Sequence, residues 1–147
     1  MFTAYVAIDR TLRFLDAFGV GGSVYERYPG SYERRLVQAN DAYIRMTGRD
    51  EAELLAVDAR TLQHSTNSRA RSRYLQEQVE QGSAYDGEFA WKLPDGGLRW
   101  MRYSAFPQHL DGRIYVVGMD MAVEDLLQGL GDELPRLADL PVGLTRG

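Results

Sequence analysis

The last third of the chain carries three β-prone runs joined by two short turns, and this constrains the fold more than any other feature. Tyr85 to Leu93, Leu98 to Phe106 and Arg113 to Met121 are rich in aromatic and branched residues; Pro94-Asp95-Gly96-Gly97 separates the first two, and a loop holding Asp111-Gly112 the last two. Proline presets φ and glycine accepts positive φ, so both separators are reversals and the runs lie antiparallel. A three-stranded meander results, and every other element has to cover it.

Upstream, Tyr5, Ile8, Leu12, Leu15 and Phe18 recur at spacings of three and four, a helical stripe ended by Gly19, Gly21 and Gly22. The helix is fixed over 10–18; the first eight residues read equally as a strand. Ser23 to Tyr28 and Arg34 to Gln38 flank Pro29-Gly30-Ser31, which predicts a hairpin. Asn40 caps a short helix through Met46 with Gly48 at its C-terminus, and Asp50 with Glu53 forms a capping box for Glu51 to Leu55. After a polar loop, Ser65-Thr66-Asn67-Ser68 caps a helix over 69–81 that Gly82 closes. Two strands, helices, then three strands make an α+β chain: a five-stranded antiparallel sheet with short helices on one face and an N-terminal flanking helix. With 147 residues one core is expected, divided as a flanking helix over 1–22, a body over 23–121 and a tail over 122–147.

Composition removes whole classes of chemistry. There is no cysteine, so thiol nucleophiles, disulfides and zinc-thiolate or iron–sulfur sites are excluded. A net charge of −4 argues against nucleic acid or anionic lipid as the main partner. The longest nearly apolar stretch, Tyr115 to Met121, is far below the ~20 residues that span a bilayer, and a cytoplasmic setting is the default. No phosphate loop, nucleophile elbow or helical pair of histidines is present, so a non-enzymatic role is expected.

The order of elements and several motifs resemble the PAS sensory domains, with their PAC-type C-terminal half, over about Leu12 to Asp125. Asn40-Asp41-Ala42-Tyr43 with Thr47-Gly48, then Glu53-Leu54, Asp95-Gly96 with Trp100, Pro107, Asp111-Gly112 and Val116-Val117-Gly118 carry the likeness. Two stretches depart from the family pattern. His64-Ser65-Thr66-Asn67 keeps only the histidine of a His-Pro-x-Asp motif, and Ala122-Val123-Glu124-Asp125 is a degraded form of the closing Asp-Ile-Thr-Glu segment. The resemblance implies a sensory module that binds a small ligand or a protein partner and signals through a dimer, with a further effector domain or protein as its output.

Asn40, Gly48, Asp95, Gly96 and Trp100 are read as structural. By period two, Ile114, Val116, Gly118 and Asp120 share a strand face, and the resemblance turns that face toward a pocket, with Phe89, Trp91, Met101 and Tyr103 as co-liners. Packing is the simpler reading of both tryptophans. An inward Asp120 pairs with an arginine, binds a cationic or hydroxylated ligand, or lies in water at a frayed strand end. His64 is the candidate haem ligand, though it sits at a loop position. The cofactor is left unassigned: haem and a noncovalent flavin are both disfavoured, and cysteinyl-flavin photochemistry lacks its thiol.

The strand Tyr115 to Met121 is apolar on both sides, so its second face needs the N-terminal helix or a second copy, and a homodimer through that face is expected. In the tail, Val123, Leu130, Leu137 and Leu144 lie seven apart with Leu127 and Leu134 between, a heptad-like seam. Gly129, Gly131, Pro135 and Pro141 oppose it, since an interior proline costs ~3 kcal/mol. A short helix with a leucine-bearing docking segment is the expected form. Two other roles remain open: a structural dimerisation domain without ligand, and a small cone-shaped isomerase-type enzyme with Asp120 as base and Tyr103 as donor. The early hairpin disfavours the enzyme, whose long helices would come first.

Overall fold

The computed structural model describes residues 2–31 and 33–131. Helix α1 (Phe2–Ala17) leads into the hairpin β1 (Gly21–Arg27) and β2 (Arg34–Ala39). Helices α2 (Asp41–Thr47) and α3 (Glu51–Ala56), a 3-10 turn (Ala59–Leu62), the short β3 (Gln63–His64) and α4 (Arg69–Gln81) follow. The meander β4 (Tyr85–Lys92), β5 (Leu98–Leu110) and β6 (Arg113–Ala122) closes on β1, and α5 (Val123–Gly131) leaves it. The sheet is antiparallel with order β2-β1-β6-β5-β4-β3, so the first hairpin pairs with the last strand.

Capping sets the short helices as the sequence reads. Asn40 Oδ1 accepts from Tyr43 N, Asp50 from Glu53 N and Ser68 Oγ from Arg71 N, while Gly48 and Gly82 end α2 and α4 in the left-handed region. Asn40 does more than cap, since Oδ1 also accepts from Gly22 N and Nδ2 donates to Leu12 O and Val20 O. One buried side chain thereby ties α1, β1 and α2 together.

Three differences from the sequence reading have physical causes. The sheet has six strands, not five, because Gln63 and His64 pair with Trp91 and Ala90 along an otherwise open edge; two residues give no alternation to read. Strand β5 runs on to Leu110 through Pro107, because β4 stops at the Tyr85↔Ala105 pair. Beyond it β5 bonds only to β6, so the missing N–H of Pro107 breaks no second ladder. The N-terminal helix starts at Phe2, so positions 2–8 of the ambiguous opening stretch are helical. Of the leucine seam in the tail, Val123, Leu127 and Leu130 lie in α5, and positions 132–147 fall outside the described residues.

The inner face of the sheet holds two apolar clusters. Leu36, Tyr43, Met46, Leu54, Trp91, Met101 and Ala122 form one, and Val79 of α4 with Ala105, Ile114 and Val116 forms the other. The outer face is covered at β1, where Leu12 and Leu15 of α1 meet Gly22. A Cβ on Gly22 would lie 2.6 Å from Leu12 Cδ2, and one on neighbouring Gly21 would lie 2.9 Å from Met46 Sδ of α2 on the inner side. Two adjacent glycines therefore let helices approach the same strand from both faces.

Candidate functional site

Between the two clusters lies a cavity of about 290 Å³. Strand alternation supplies its floor: Ser23, Tyr25 and Arg27 from β1, Val116, Gly118 and Asp120 from β6, Tyr103 and Ala105 from β5, and Tyr85 and Phe89 from β4. Helix α4, the 3-10 turn and the loop after β3 form the roof through Ser72, Leu75, Gln76, Arg60 and Asn67. Gly118 keeps the floor open, since a Cβ there would lie 3.1 Å from Ser23 Oγ and 3.3 Å from Asp120 Oδ1.

The sequence-derived residues divide. Phe89, Tyr103, Val116, Gly118 and Asp120 lie in the cavity wall. Trp91 and Met101 do not: both have 0 % exposure and belong to the first apolar cluster, where Trp91 stands edge-on to Tyr43 and Phe89. Alternation gave their face correctly but not their place along the strand. Asp95 and Gly96 build the β4–β5 turn, with Asp95 Oδ1 accepting from Gly97 N, and Trp100 points to the opposite face. His64 is exposed and meets Trp100 edge-on at 5.9 Å; its neighbour Gln63 faces the cavity, so the imidazole points away from it.

Asp120 is 4 % exposed, and no ion pair to it occurs among the described residues. Burial pushes its carboxyl up to about 7 from an ordinary 3.8, and the positive charge of Arg34 opposes the rise. The frayed-end reading is thus corrected: the pairs Gly21↔Asp120 and Tyr103↔Asp120 enclose the residue between two strands. Tyr25 and Tyr43 hydroxyls bond to each other beside it, and burial holds both phenols above their ordinary value. Tyr103 is pushed up to about 12, again mainly by burial. All three phenols stay protonated as hydrogen-bonding groups.

Several cavity residues were not singled out from sequence. Arg27 is 6 % exposed; its Nη2 donates to Ser31 O and to Gln76 Oε1. Arg34 Nη2 donates to Gln63 Oε1 at 2.6 Å and its guanidinium lies over the Tyr25 ring. The available signal was alternation: Ser23, Tyr25 and Arg27 stand two apart on β1.

Ring faces, an open glycine floor and buried polar groups at both ends suit a flat heteroaromatic ligand, which a flavin ring is. With that geometry in place, comparison with known proteins adds three findings. The chain is 26 % identical over 113 residues to phototropin-2 of Oryza sativa subsp. japonica; the match spans 76 % of this chain but only 12 % of that protein. A light-oxygen-voltage domain studied through a flavin analogue superimposes with TM-score 0.62 at 15 % identity, covering 86 % of this chain and 95 % of that one. An RNA-binding light-oxygen-voltage receptor gives 0.60 at 24 % identity, over 83 % and 34 %. These neighbours overturn the expectation that disfavours a noncovalent flavin. No helix among the described residues is long and apolar enough to cross a membrane. The sequence pattern of the PAS fold matches residues 36–119, more than half of the chain and the span from β2 through β6, and the chain belongs to that family.

Proposed function

We propose that the chain is a non-catalytic sensory module that holds a flat heteroaromatic ligand of flavin type, noncovalently, in the cavity between the sheet and α4. One observation carries this reading: a cavity floored by Gly118 and walled by tyrosine and phenylalanine rings, with a buried, unpaired carboxyl at one end. Bound there, a flavin would supply visible-light absorption and electron exchange. Tyr25, Phe89 and Tyr103 offer ring faces and edges for stacking, and Asp120 offers a hydrogen bond to a heteroatom edge as donor below pH ~7 and as acceptor above it. The relatives named above, one of them studied with a flavin analogue, support the choice of ligand class.

The sensor body spans 23–121, with α1 and α5 as its arms. Ligand occupancy shifts the packing of the sheet against these arms, and the shift is read by a second copy of the chain or an effector. The outer face supports a homodimer: Trp100, Phe106 and Met121 are exposed there, at 38 %, 41 % and 38 %, and Phe14 of α1 and Phe18 just after it are exposed as well.

The test is gel filtration of the full chain with riboflavin, which has the ring but no charge. Coelution with quenched flavin fluorescence is expected. Gly118→Val, which fills the floor, should abolish coelution while circular dichroism stays unchanged. Riboflavin that never coelutes, or that coelutes equally with Gly118→Val, overturns the reading and leaves a dimerisation domain without ligand.

A further inference from the structure

Two carboxyl groups line the cavity, and only one of them is paired. Glu88 accepts from Arg102 at 2.7 Å, whereas no ion pair or hydrogen bond to the Asp120 side chain occurs among the described residues. Asp120 is nonetheless almost wholly buried. A Cβ on Gly118 would lie 3.3 Å from its Oδ1, so the carboxyl borders the glycine floor. A buried polar group without a partner is costly, and this one is open to a partner from the cavity side.

The groups around it do not hold it ionised. Tyr25 of β1 and Tyr43 of α2 bond to each other, and Tyr85 of β4 and Tyr103 of β5 are, like them, phenols that burial keeps protonated and uncharged. Arg34 of β2 is the cation that acts on the carboxyl, but its guanidinium lies over the Tyr25 ring and donates to Gln63 Oε1 at 2.6 Å. Arg27 and Arg60, which also line the cavity, are bonded to Gln76 and to Asp58. Arg34 therefore opposes burial without cancelling it, and the carboxyl is pushed up to about 7.

The two forms of this carboxyl are not equivalent toward a flavin-type ring. The heteroatom edge of such a ring offers carbonyl oxygens and unprotonated ring nitrogens, with a single N–H among them. A protonated carboxyl has an O–H for one of these acceptors and a carbonyl oxygen for the N–H; a carboxylate has acceptors only and sets them against the carbonyl oxygens of the ring. A ring that fills the cavity also displaces the water that an ionised carboxylate needs. We propose that the module binds its ligand together with a proton: Asp120 is protonated when the cavity is filled, and the site empties as Asp120 ionises. Occupancy then reports the acidity of the surroundings as well as the supply of ligand. The inference rests on the reading of the cavity as a flavin-type site and adds this second input. Linkage is reciprocal, so filling the cavity at alkaline pH draws a proton from solution.

Riboflavin is the probe. Quenching of its fluorescence gives the Kd of the full chain at about pH 6 and about pH 8.5, on either side of the Asp120 titration, and calorimetry at the higher pH in two buffers of different ionisation enthalpy counts the protons exchanged. The parent should bind at least roughly tenfold more weakly at the higher pH and take up about one proton per riboflavin there. Asp120→Asn, which keeps the shape and cannot ionise, should bind equally at both pH values and take up none. The proton count is read on the parent protein and decides the matter even where Asp120→Asn fails to fold. Equal affinity at the two pH values in the parent, no proton uptake, or the same pH dependence in Asp120→Asn overturns the inference. Riboflavin bound without any pH dependence removes only the proton, whereas riboflavin bound at neither pH removes the reading of the cavity on which the inference rests.

Discussion

Replacing Asp120 by asparagine should change how stability depends on pH, and the size of the change follows from its environment. The carboxyl titrates near 3.8 when free and about 7 when buried in the fold. A raised pKa means that the folded state prefers the protonated form, so the stability this proton provides is fully present below the free value and is lost as pH rises through the folded one. At 1.36 kcal/mol per tenfold change the complete loss is roughly 4 kcal/mol, of which roughly 2–3 kcal/mol falls between about pH 5 and pH 8. Asp120 is almost wholly buried, so solvent screening removes little of this. Asparagine keeps the shape and cannot ionise. Urea unfolding of both proteins across that range should show the variant gaining on the parent by roughly 2–3 kcal/mol as pH rises, on the order of a third of a small domain's total stability. Curves that stay parallel would mean that the carboxyl is solvated or firmly paired, and the argument from burial would fail.

Two further outcomes follow from the fold. Asn40→Ala removes four hydrogen bonds made by one buried side chain, two to Oδ1 and two from Nδ2, and should cost about 4 kcal/mol in urea unfolding at ~1 kcal/mol per bond, with α1 becoming the first site of limited proteolysis. Phe106→Glu with Met121→Glu should convert a dimer to a monomer in light scattering at micromolar concentration with the cavity unaffected; a parent protein already monomeric there would rule out the outer face as an interface.

How far the sequence could be read depended on what each signal encodes. Tight turns at Pro29-Gly30 and Asp95-Gly96 and caps at Asn40, Asp50 and Ser68 are local chemistry, so the hairpins and helices could be placed almost to the residue. Closure of the sheet is not local: no pattern in either strand says that β1 bonds β6, and only the structure shows it. Alternation grouped the residues that share a face of β4, β5 and β6 and the resemblance turned that face inward, which put Tyr103 and Asp120 in the cavity wall, but neither says how far along a strand the cavity extends. Trp91 and Met101 accordingly fell in the core. Arg27 was passed over because arginines on strands usually reach solvent, and only the packing of Gln76 and α4 over the hairpin shows that this one does not.

The paired glycines at the start of β1 also bear on how this chain can change over evolutionary time. Leu12 presses on one side of a two-residue segment and Met46 on the other, with no side chain between to absorb a misfit. A larger residue at position 22 meets Leu12, Leu15 and Asn40 together, and one at position 21 meets Met46 and the backbone of Tyr43 and Asp120. Sequence drift in α1 and α2, which lie on opposite faces of the sheet, is therefore yoked through a backbone too thin to buffer it.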